Sequence, residues 1–262
     1  MSASRVCIVG ALGRMGEAVR AAVAADDALA VGSLLEGPGH PRLGEAVAGT
    51  VVTDDAAAAM AAADVAIDFS VPDSTLANLA VAAEAGVPYA TGTTGFTPEQ
   101  RLALERFATR IPLVQAANFS VAVNVLAHLA RVATGLLGDG FDAEIVELHH
   151  VDKRDAPSGT ALWLGETIAA ARGTTLEKAG VLSREGEIGA RPAGAIGIQT
   201  LRGGDNPGEH TIHFIGQGER IELAHRSFTR DHFASGSVRA ARWLLGREPG
   251  LYTMADVLGL AG

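Results

Sequence analysis

The sequence predicts an α/β fold in two parts, a parallel sheet covered by helices and then a domain built on a mixed sheet. Three observations predict it. Strand and helix signals alternate through the first 120 residues, the pattern of parallel strands joined by crossover helices. A glycine-rich turn links the first strand to the first helix. After about Ser120 the alternation gives way to apolar runs rich in β-branched residues, which suit a mixed sheet.

Each element follows from its residues. Val6 to Val9 is a short apolar run that reads as a buried strand. Gly10 to Gly16 forms the turn, and Met15 to Ala25 a helix. Ala28 to Leu35 is a second strand ending at Glu36. Asp54 to Ala63 is alanine-rich and therefore helical, and Val65 to Phe69 is the next strand. A helix from about Ser74 to Ala85 is stopped by Gly86, a residue suited to the left-handed conformation that ends helices. Val87 to Thr91 and Pro112 to Ala116 are strands on either side of a helix from Pro98 to Thr109. A long helix from Val121 to Leu137 leads into the strand Glu144 to Leu148, a cationic loop and a helix from Thr160 to Arg172. The runs Ala195 to Leu201, His210 to Ile215 and Arg220 to Ala224 supply the mixed sheet. A last helix, Ala234 to Leu245, returns to the first part, so the predicted division is 1–120 with 230–262 against 121–229.

Composition excludes several classes. The chain has 262 residues, 48% hydrophobic and 19% charged, enough to bury roughly three quarters of its unfolded surface. Its formal net charge of −9 leaves no basic face for nucleic acid or an anionic membrane. Any anionic ligand must be met by a local cluster. Cys7 is the one cysteine, so no internal disulfide forms, and its setting in Val6-Cys7-Ile8-Val9 suits packing. No apolar run is expected to reach the length of a membrane span, and the N-terminus passes from Arg5 straight into a strand without a signal-peptide pattern, so the cytoplasm is the expected location.

Three motifs carry chemistry. Gly10-Ala11-Leu12-Gly13-Arg14-Met15-Gly16 follows the first strand and opens the first helix. Glycines here let backbone approach a pyrophosphate whose charge the helix start stabilises. The spacing Gly-x-x-Gly-x-x-Gly also suits a tight structural turn, but Glu36 lies twenty residues past Gly16, where a carboxylate binds ribose hydroxyls. Gly92-Thr93-Thr94-Gly95 and Ala116-Ala117-Asn118-Phe119 each follow a strand, and loops at strand carboxyl ends line the ligand crevice of such sheets. Together they border a nicotinamide; singly, each reads equally as an ordinary turn.

The third motif is His149-His150-Val151-Asp152-Lys153-Arg154, which runs on to Ser158-Gly159-Thr160. It sets two imidazoles, an ammonium and a guanidinium in front of a helix. The chain uses Arg nineteen times and Lys twice, at 153 and 178. Lys153 therefore invites a chemical reason, since an ammonium donates a proton where a guanidinium does not. The N–H groups of Gly159 and Thr160 are positioned for a carboxylate, with Ser158 as a simple N-cap the alternative. A metal site is not expected: His149 and His150 are adjacent, and His210 and His213 point to opposite faces of a strand.

The motifs GALGRMG, GTTGF, AANFSVAVN, ELHHVDK, DAPSGT, SREG and GEHT, in this order, resemble the 4-hydroxy-tetrahydrodipicolinate reductase (dihydrodipicolinate reductase) family of lysine and diaminopimelate synthesis. The resemblance implies a Rossmann-like dinucleotide-binding domain and a second mixed α/β domain for substrate binding and oligomerisation. It implies NADH or NADPH as cofactor, a cyclic dicarboxylate as substrate and a homotetramer. By resemblance His149 is the catalytic acid/base and Lys153 the proton donor, while His150, Gly159 and Thr160 bind substrate. Gly10, Ala11, Leu12, Gly13, Arg14, Met15, Glu36, Gly92, Thr93, Thr94, Ala116, Ala117, Asn118 and Phe119 hold the cofactor. Two departures stand out. Val151-Asp152 replaces basic residues that many members carry before the Lys, which bears on substrate affinity. Gly37 follows Glu36 where some members carry an Arg for a 2′-phosphate, which favours NADH. Another amino- or imino-acid dehydrogenase on the same scaffold, and a non-catalytic NAD(H) sensor, are the alternatives. A sensor has no need of Lys153.

Overall fold

A computed structural model describes residues 3–260. The chain divides into two compact units, Met1–Val121 with Asp231–Gly262, and Ala122–Arg230. The order of elements is β1 (Ser4–Val9), α1 (Arg14–Ala24), β2 (Leu29–Leu35), β3 (Ala46–Val47), β4 (Thr50–Thr53), α2 (Ala56–Ala61), β5 (Val65–Asp68), α3 (Pro72–Ala85), β6 (Tyr89–Thr91), α4 (Pro98–Ala108) and β7 (Pro112–Gln115). There follow α5 (Val121–Leu137), a single 3₁₀ turn, β8 (Asp142–His149), α6 (Gly159–Ala171), α7 (Leu176–Ala179), β9 (Gly180–Val181), β10 (Ile196–Arg202), β11 (Gly208–Ile215) and β12 (Arg220–Ser227). The chain closes with α8 (Asp231–Leu244), β13 (Gly250–Tyr252) and α9 (Met254–Leu258).

The first unit holds an eight-stranded sheet in the order β13-β7-β6-β5-β1-β2-β4-β3. All its pairs are parallel except the β3–β4 hairpin. Successive residues of β1 point to opposite faces. Val6 and Ile8 join Val19 and Val23 of α1 and Ala240, Ala241 and Leu244 of α8 in one core. Cys7 and Val9 join Met60, Leu79 and Leu104 of α2, α3 and α4 in the other. Each large aliphatic buried this way contributes about 1.5–3 kcal/mol. Because β2 and β5 lie on opposite sides of β1, the chain reverses its direction of travel across the sheet there. Such a switch point opens a crevice at the strands' carboxyl ends, and those ends are Gly10 and Phe69.

Local signals set the helix ends. Pro72 occupies the first turn of α3, and Gly86 closes it with φ +71°. Thr97 and Gln100 form a reciprocal capping box on α4. The elements that periodicity missed are short: the β3–β4 hairpin, α7, β9, α9, and β13, which extends the sheet beyond β7. Segments of two to five residues carry too few positions to show a period.

The second unit is built on a five-stranded mixed sheet in the order β12-β11-β8-β10-β9. β8 and β10 are parallel, and β11 is antiparallel to both β8 and β12. Ala143, Ile145, Ile198, Ile212 and Phe214 from one face meet Leu126 and Ala130 of α5 and Leu164 and Ile168 of α6. The opposite face carries Glu144, Gln199, Leu201 and Ile215, with Leu201 and Ile215 exposed. One expectation is corrected here. Val121–Gly140, which is α5 and the turn after it, is long and apolar enough by length and composition to cross a membrane, with mean hydropathy 1.5. One side of it packs into the second unit's core through Val123, Leu126, Ala127 and Ala130, while Val125, Leu129, Val132 and Leu136 are exposed.

Candidate active site

The glycine turn in the first unit spends its own N–H groups inward. Gly10 N–H and Ala11 N–H donate to the Leu35 carbonyl, and Gly13 N–H to the Gly10 carbonyl. Leu12 N–H donates to Glu36 Oε1 at 2.6 Å, so the carboxylate at the end of β2 braces the turn with one oxygen. Gly10 has φ +70°, where a side chain is strained. A Cβ on Gly16 would overlap the backbone of Gly10 and Ala11, which is why helix and turn pack so closely. The N-cap of α1 is Gly13, and no side chain caps the helix. The helix therefore meets the crevice with its first N–H groups uncapped, the arrangement that receives a phosphate. Ala11 is buried in the core, Leu12 and Met15 are half-buried against it, and Arg14 is exposed. These residues fit a dinucleotide pyrophosphate.

The loops after β6 and β7 sit at the same edge. Gly92 is glycine because a Cβ would enter the Phe69 ring, and Phe69 packs edge-to-face on Phe119 with centroids 5.7 Å apart. Thr93 turns inward: its N–H donates to Thr91 Oγ1 at 3.2 Å, and its hydroxyl lies 2.8 Å from Thr75 Oγ1. Thr75 Oγ1 is 2.6 Å from Asp68 Oδ2, the carboxylate on which Tyr89 and Thr91 also converge. A threonine has one proton, so if Thr75 donates to Asp68, then Thr93 donates to Thr75. Asp68 is fully buried, and burial pushes its carboxyl above the ordinary range despite these donors. Thr94 and Ala117 are exposed, Ala116 and Phe119 are buried, and Asn118 Oδ1 accepts from Ser120 N–H at 2.8 Å.

In the second unit the site centres on a residue that motif reading did not single out. Glu147 is fully buried on β8. His149 Nδ1 lies 2.5 Å from Glu147 Oε2, and Arg202 donates to both carboxylate oxygens at 2.9 and 3.1 Å. Thr200 Oγ1 and Ser158 N–H each donate to Oε1 at 3.0 Å. Strand register makes this cluster: on β10 Thr200 faces Glu147 and Arg202 faces His149, and on β11 His210 faces Glu147. Burial works to raise the Glu147 carboxyl, but the bonds from His149, Arg202, Ser158 and Thr200 outweigh it and hold it at about 2. At neutral pH the carboxylate is an acceptor only, so His149 Nδ1 is the donor and Nε2 is left for other chemistry. A Cβ on Gly208 would stand 2.8 Å from that Nε2, so the glycine keeps the space beside it open.

His210 packs edge-to-face on His149, with centroids 5.2 Å apart, and its Nε2 lies 3.1 Å from Ser158 Oγ. Burial, followed by the neighbouring charge at His149, pushes the His210 imidazole down to about 3. Ser158 caps α6 by accepting from Ala161 N–H at 3.1 Å. Gly159, next along, is exposed, with open space where a Cβ would stand, and Thr160 is half-buried. His150 Nε2 lies 3.4 Å from an Arg230 nitrogen. Lys153 is mostly covered, its side chain 21% exposed, and donates to Asp155 Oδ1 at 2.8 Å.

Sequence reading thus found the loop and the helix start but missed Glu147, Arg202, Ser158's second bond and His210. One signal was present: Ala143, Ile145, Glu147 and His149 alternate along one strand face, which puts a carboxylate and an imidazole among core residues.

Comparison with known proteins matches both parts of the chain. The family model "Dihydrodipicolinate reductase, N-terminus" matches residues 4–119, and "Dihydrodipicolinate reductase, C-terminus" matches residues 122–258. The chain is 47% identical over 267 residues to the 4-hydroxy-tetrahydrodipicolinate reductase of Anaeromyxobacter dehalogenans, covering 99% of each chain. It is 49% identical over 263 residues to that of Thiobacillus denitrificans, covering 98% of each. Among solved structures, a dipicolinate-bound dihydrodipicolinate reductase from Paenisporosarcina sp. TG-14 superimposes with a TM-score of 0.80 at 24% identity, over 97% of this chain and 99% of that one. Matched along both halves and nearly end to end with its relatives, the chain belongs to the dihydrodipicolinate reductase family.

Proposed function

We propose that the protein reduces 4-hydroxy-tetrahydrodipicolinate to tetrahydrodipicolinate with loss of water, in diaminopimelate and lysine synthesis. The observation that carries this reading is the His149 imidazole, held at Nδ1 by buried Glu147 on the strand that leads into Lys153 and the start of α6. A sensor of NAD(H) has no use for such a proton-handling cluster.

The first unit holds the cofactor at the uncapped start of α1, with Gly10 to Met15, Glu36, Gly92 to Thr94 and Ala116 to Phe119 around it. Bound NADH or NADPH supplies the hydride. In the second unit His150, Gly159 and Thr160 receive the substrate carboxylates, since a helix start and a cationic loop both favour negative charge. Loss of the 4-hydroxyl as water leaves a conjugated system. When this accepts hydride, the adjoining carbon needs a proton, which the Lys153 ammonium donates while His149 serves as acid/base through Nε2. Asp155, 2.8 Å from the ammonium, orients it within the loop.

Glu36 keeps one carboxylate oxygen for the ribose diol while the other braces Leu12. Of Arg14, His40 and Arg42, the candidates for meeting a 2′-phosphate, Arg42 is tied to Glu45 at 2.6 and 2.7 Å. NADH is therefore used at least as well as NADPH. The second unit's sheet face that carries exposed Leu201 and Ile215 supports a homotetramer built through that sheet, because apolar strands need cover. A small-molecule pathway enzyme of this kind works in the cytoplasm, without nucleic acid or membrane as partner.

The test is NADH oxidation with freshly synthesised 4-hydroxy-tetrahydrodipicolinate, with dipicolinate as competitive inhibitor. Absence of substrate-dependent turnover, with NADH still bound, favours the sensor. Light scattering that finds a stable monomer at micromolar concentration removes the tetramer.

A further inference from the structure

We infer that Glu147 is a positioning residue for the reaction. It fixes which nitrogen of His149 carries the exchangeable proton, and through Arg202 and the Ser158 N–H it locks that ring to the start of α6. The inference rests on the reading of His149 as acid/base. Glu147 is bonded to His149, Arg202, Thr200 and the Ser158 N–H, so it acts on the reaction through His149.

Three features of the geometry support it. The carboxylate is fully buried, and a buried charge persists only where its lone pairs are satisfied. Four partners meet that demand: the Arg202 guanidinium, Thr200 Oγ1, Ser158 N–H and His149 Nδ1. An imidazole bound this way at Nδ1 keeps one tautomer and one ring plane. Finally, the same carboxylate oxygen accepts from both His149 Nδ1 and Arg202, at 2.5 and 2.9 Å, so the guanidinium and the imidazole compete for one negative charge. Around the His149 ring stand Glu147 on β8, Arg202 on β10 and His210 on β11, while His210 in turn feels His225 on β12 and Lys153, which is paired with Asp155 in the loop.

Competition gives a test with two signs. In Glu147→Gln the imidazolium loses its counter-charge, so the His149-dependent limb of the kcat–pH profile moves to lower pH. In Arg202→Gln the carboxylate is left more fully to His149, and the same limb moves to higher pH. Nitrogen-15 spectra of the ligand-free protein should show His149 protonated at Nδ1 in its neutral form, and a mixture of tautomers in Glu147→Gln. The kcat of Glu147→Gln should fall at least ~10-fold, and by no more than the ~10²–10⁴ that general acid–base catalysis is worth, while the KM for the dicarboxylate and the affinity for dipicolinate stay within about threefold. Glu147→Asp, which keeps the charge, should recover part of the loss. If Glu147→Gln does not fold, Arg202→Gln and the wild-type spectra carry the test. Unmoved His149 resonances, shifts of the same sign in both variants, or a loss confined to KM overturns the inference. Wild-type kcat in His149→Gln instead overturns the acid/base reading beneath it, even where the tautomer result holds.

Discussion

Both units place a fully buried carboxylate near the carboxyl edge of a sheet, and the two are opposites. Asp68 in the first unit is surrounded by neutral donors: the hydroxyls of Thr75, Tyr89 and Thr91, and the Ser70 N–H. Burial wins there, and its carboxyl lies above the ordinary range. Glu147 in the second unit is equally enclosed but meets a guanidinium and an imidazole, and is held at about 2. Burial alone thus does not set which way an interior carboxyl is shifted; the charge of its donors does. The Asp68 hub anchors Thr93 through Thr75 and so shapes the loop after β6, whereas the charged hub of Glu147 holds the His149 ring.

The largest expected effect separates these duties. Lys153→Arg and His149→Gln should each lower kcat by ~10²–10⁴ and leave NADH affinity unchanged, because both changes lie in the unit of the charged hub. Near-normal turnover in Lys153→Arg, which keeps the charge but removes an accessible acid, refutes its role as proton donor.

Stability should follow the same division. Glu147→Ala strands the Arg202 guanidinium and should cost about 3–5 kcal/mol. Asp68→Asn leaves hydroxyls that can turn to new partners, and should cost about 1–3 kcal/mol. Urea titrations of the two variants measure both values, and the reverse order would dissolve the contrast.

Acid sharpens it further. A carboxyl held below its ordinary value stabilises the fold above the unfolded range and loses that contribution as pH falls toward the folded value. For Glu147 the window runs from 4.5 down to about 2. Asp68, raised by burial, behaves oppositely: its contribution is present below its unfolded value and is lost as pH rises through the folded one. Hydrogen exchange between pH 4.5 and 2.5 should therefore show amides of β8 and β10 losing protection before those of β5 and β6.

The smallest effect concerns the cofactor. The kcat/KM for NADH should equal or modestly exceed that for NADPH, since a carboxylate, Glu36, ends β2 and braces the glycine turn, and Arg42 is engaged by Glu45. A clear NADPH preference would mean that Arg14, His40 or Arg42 moves to meet the 2′-phosphate.

Much of this was legible in the residues. The alternation of strands and helices, the glycine turn, Gly86 as a helix stop and Ser158 as an N-cap are local matters, decided by backbone sterics and by hydrogen bonds a few residues long. The long helix at Val121–Leu137 was read at its observed bounds, because its apolar stripe runs for several turns. The six short elements fell below any period. Of the second unit's site, the loop and its cations were visible as sequence neighbours.

The partners of Glu147 were not. Arg202 lies 55 residues away, His210 faces it from an antiparallel strand, and Ser158 approaches through its backbone N–H. By itself the sequence determined which residue types are available and which strand face each occupies. Only the tertiary structure decided that β8 pairs with β10 and β11 in the register that encloses one carboxylate among an arginine, two histidines and a helix start. A one-residue slip would turn every one of those side chains to the other face, and the register is held by packing between distant segments, which no local pattern records.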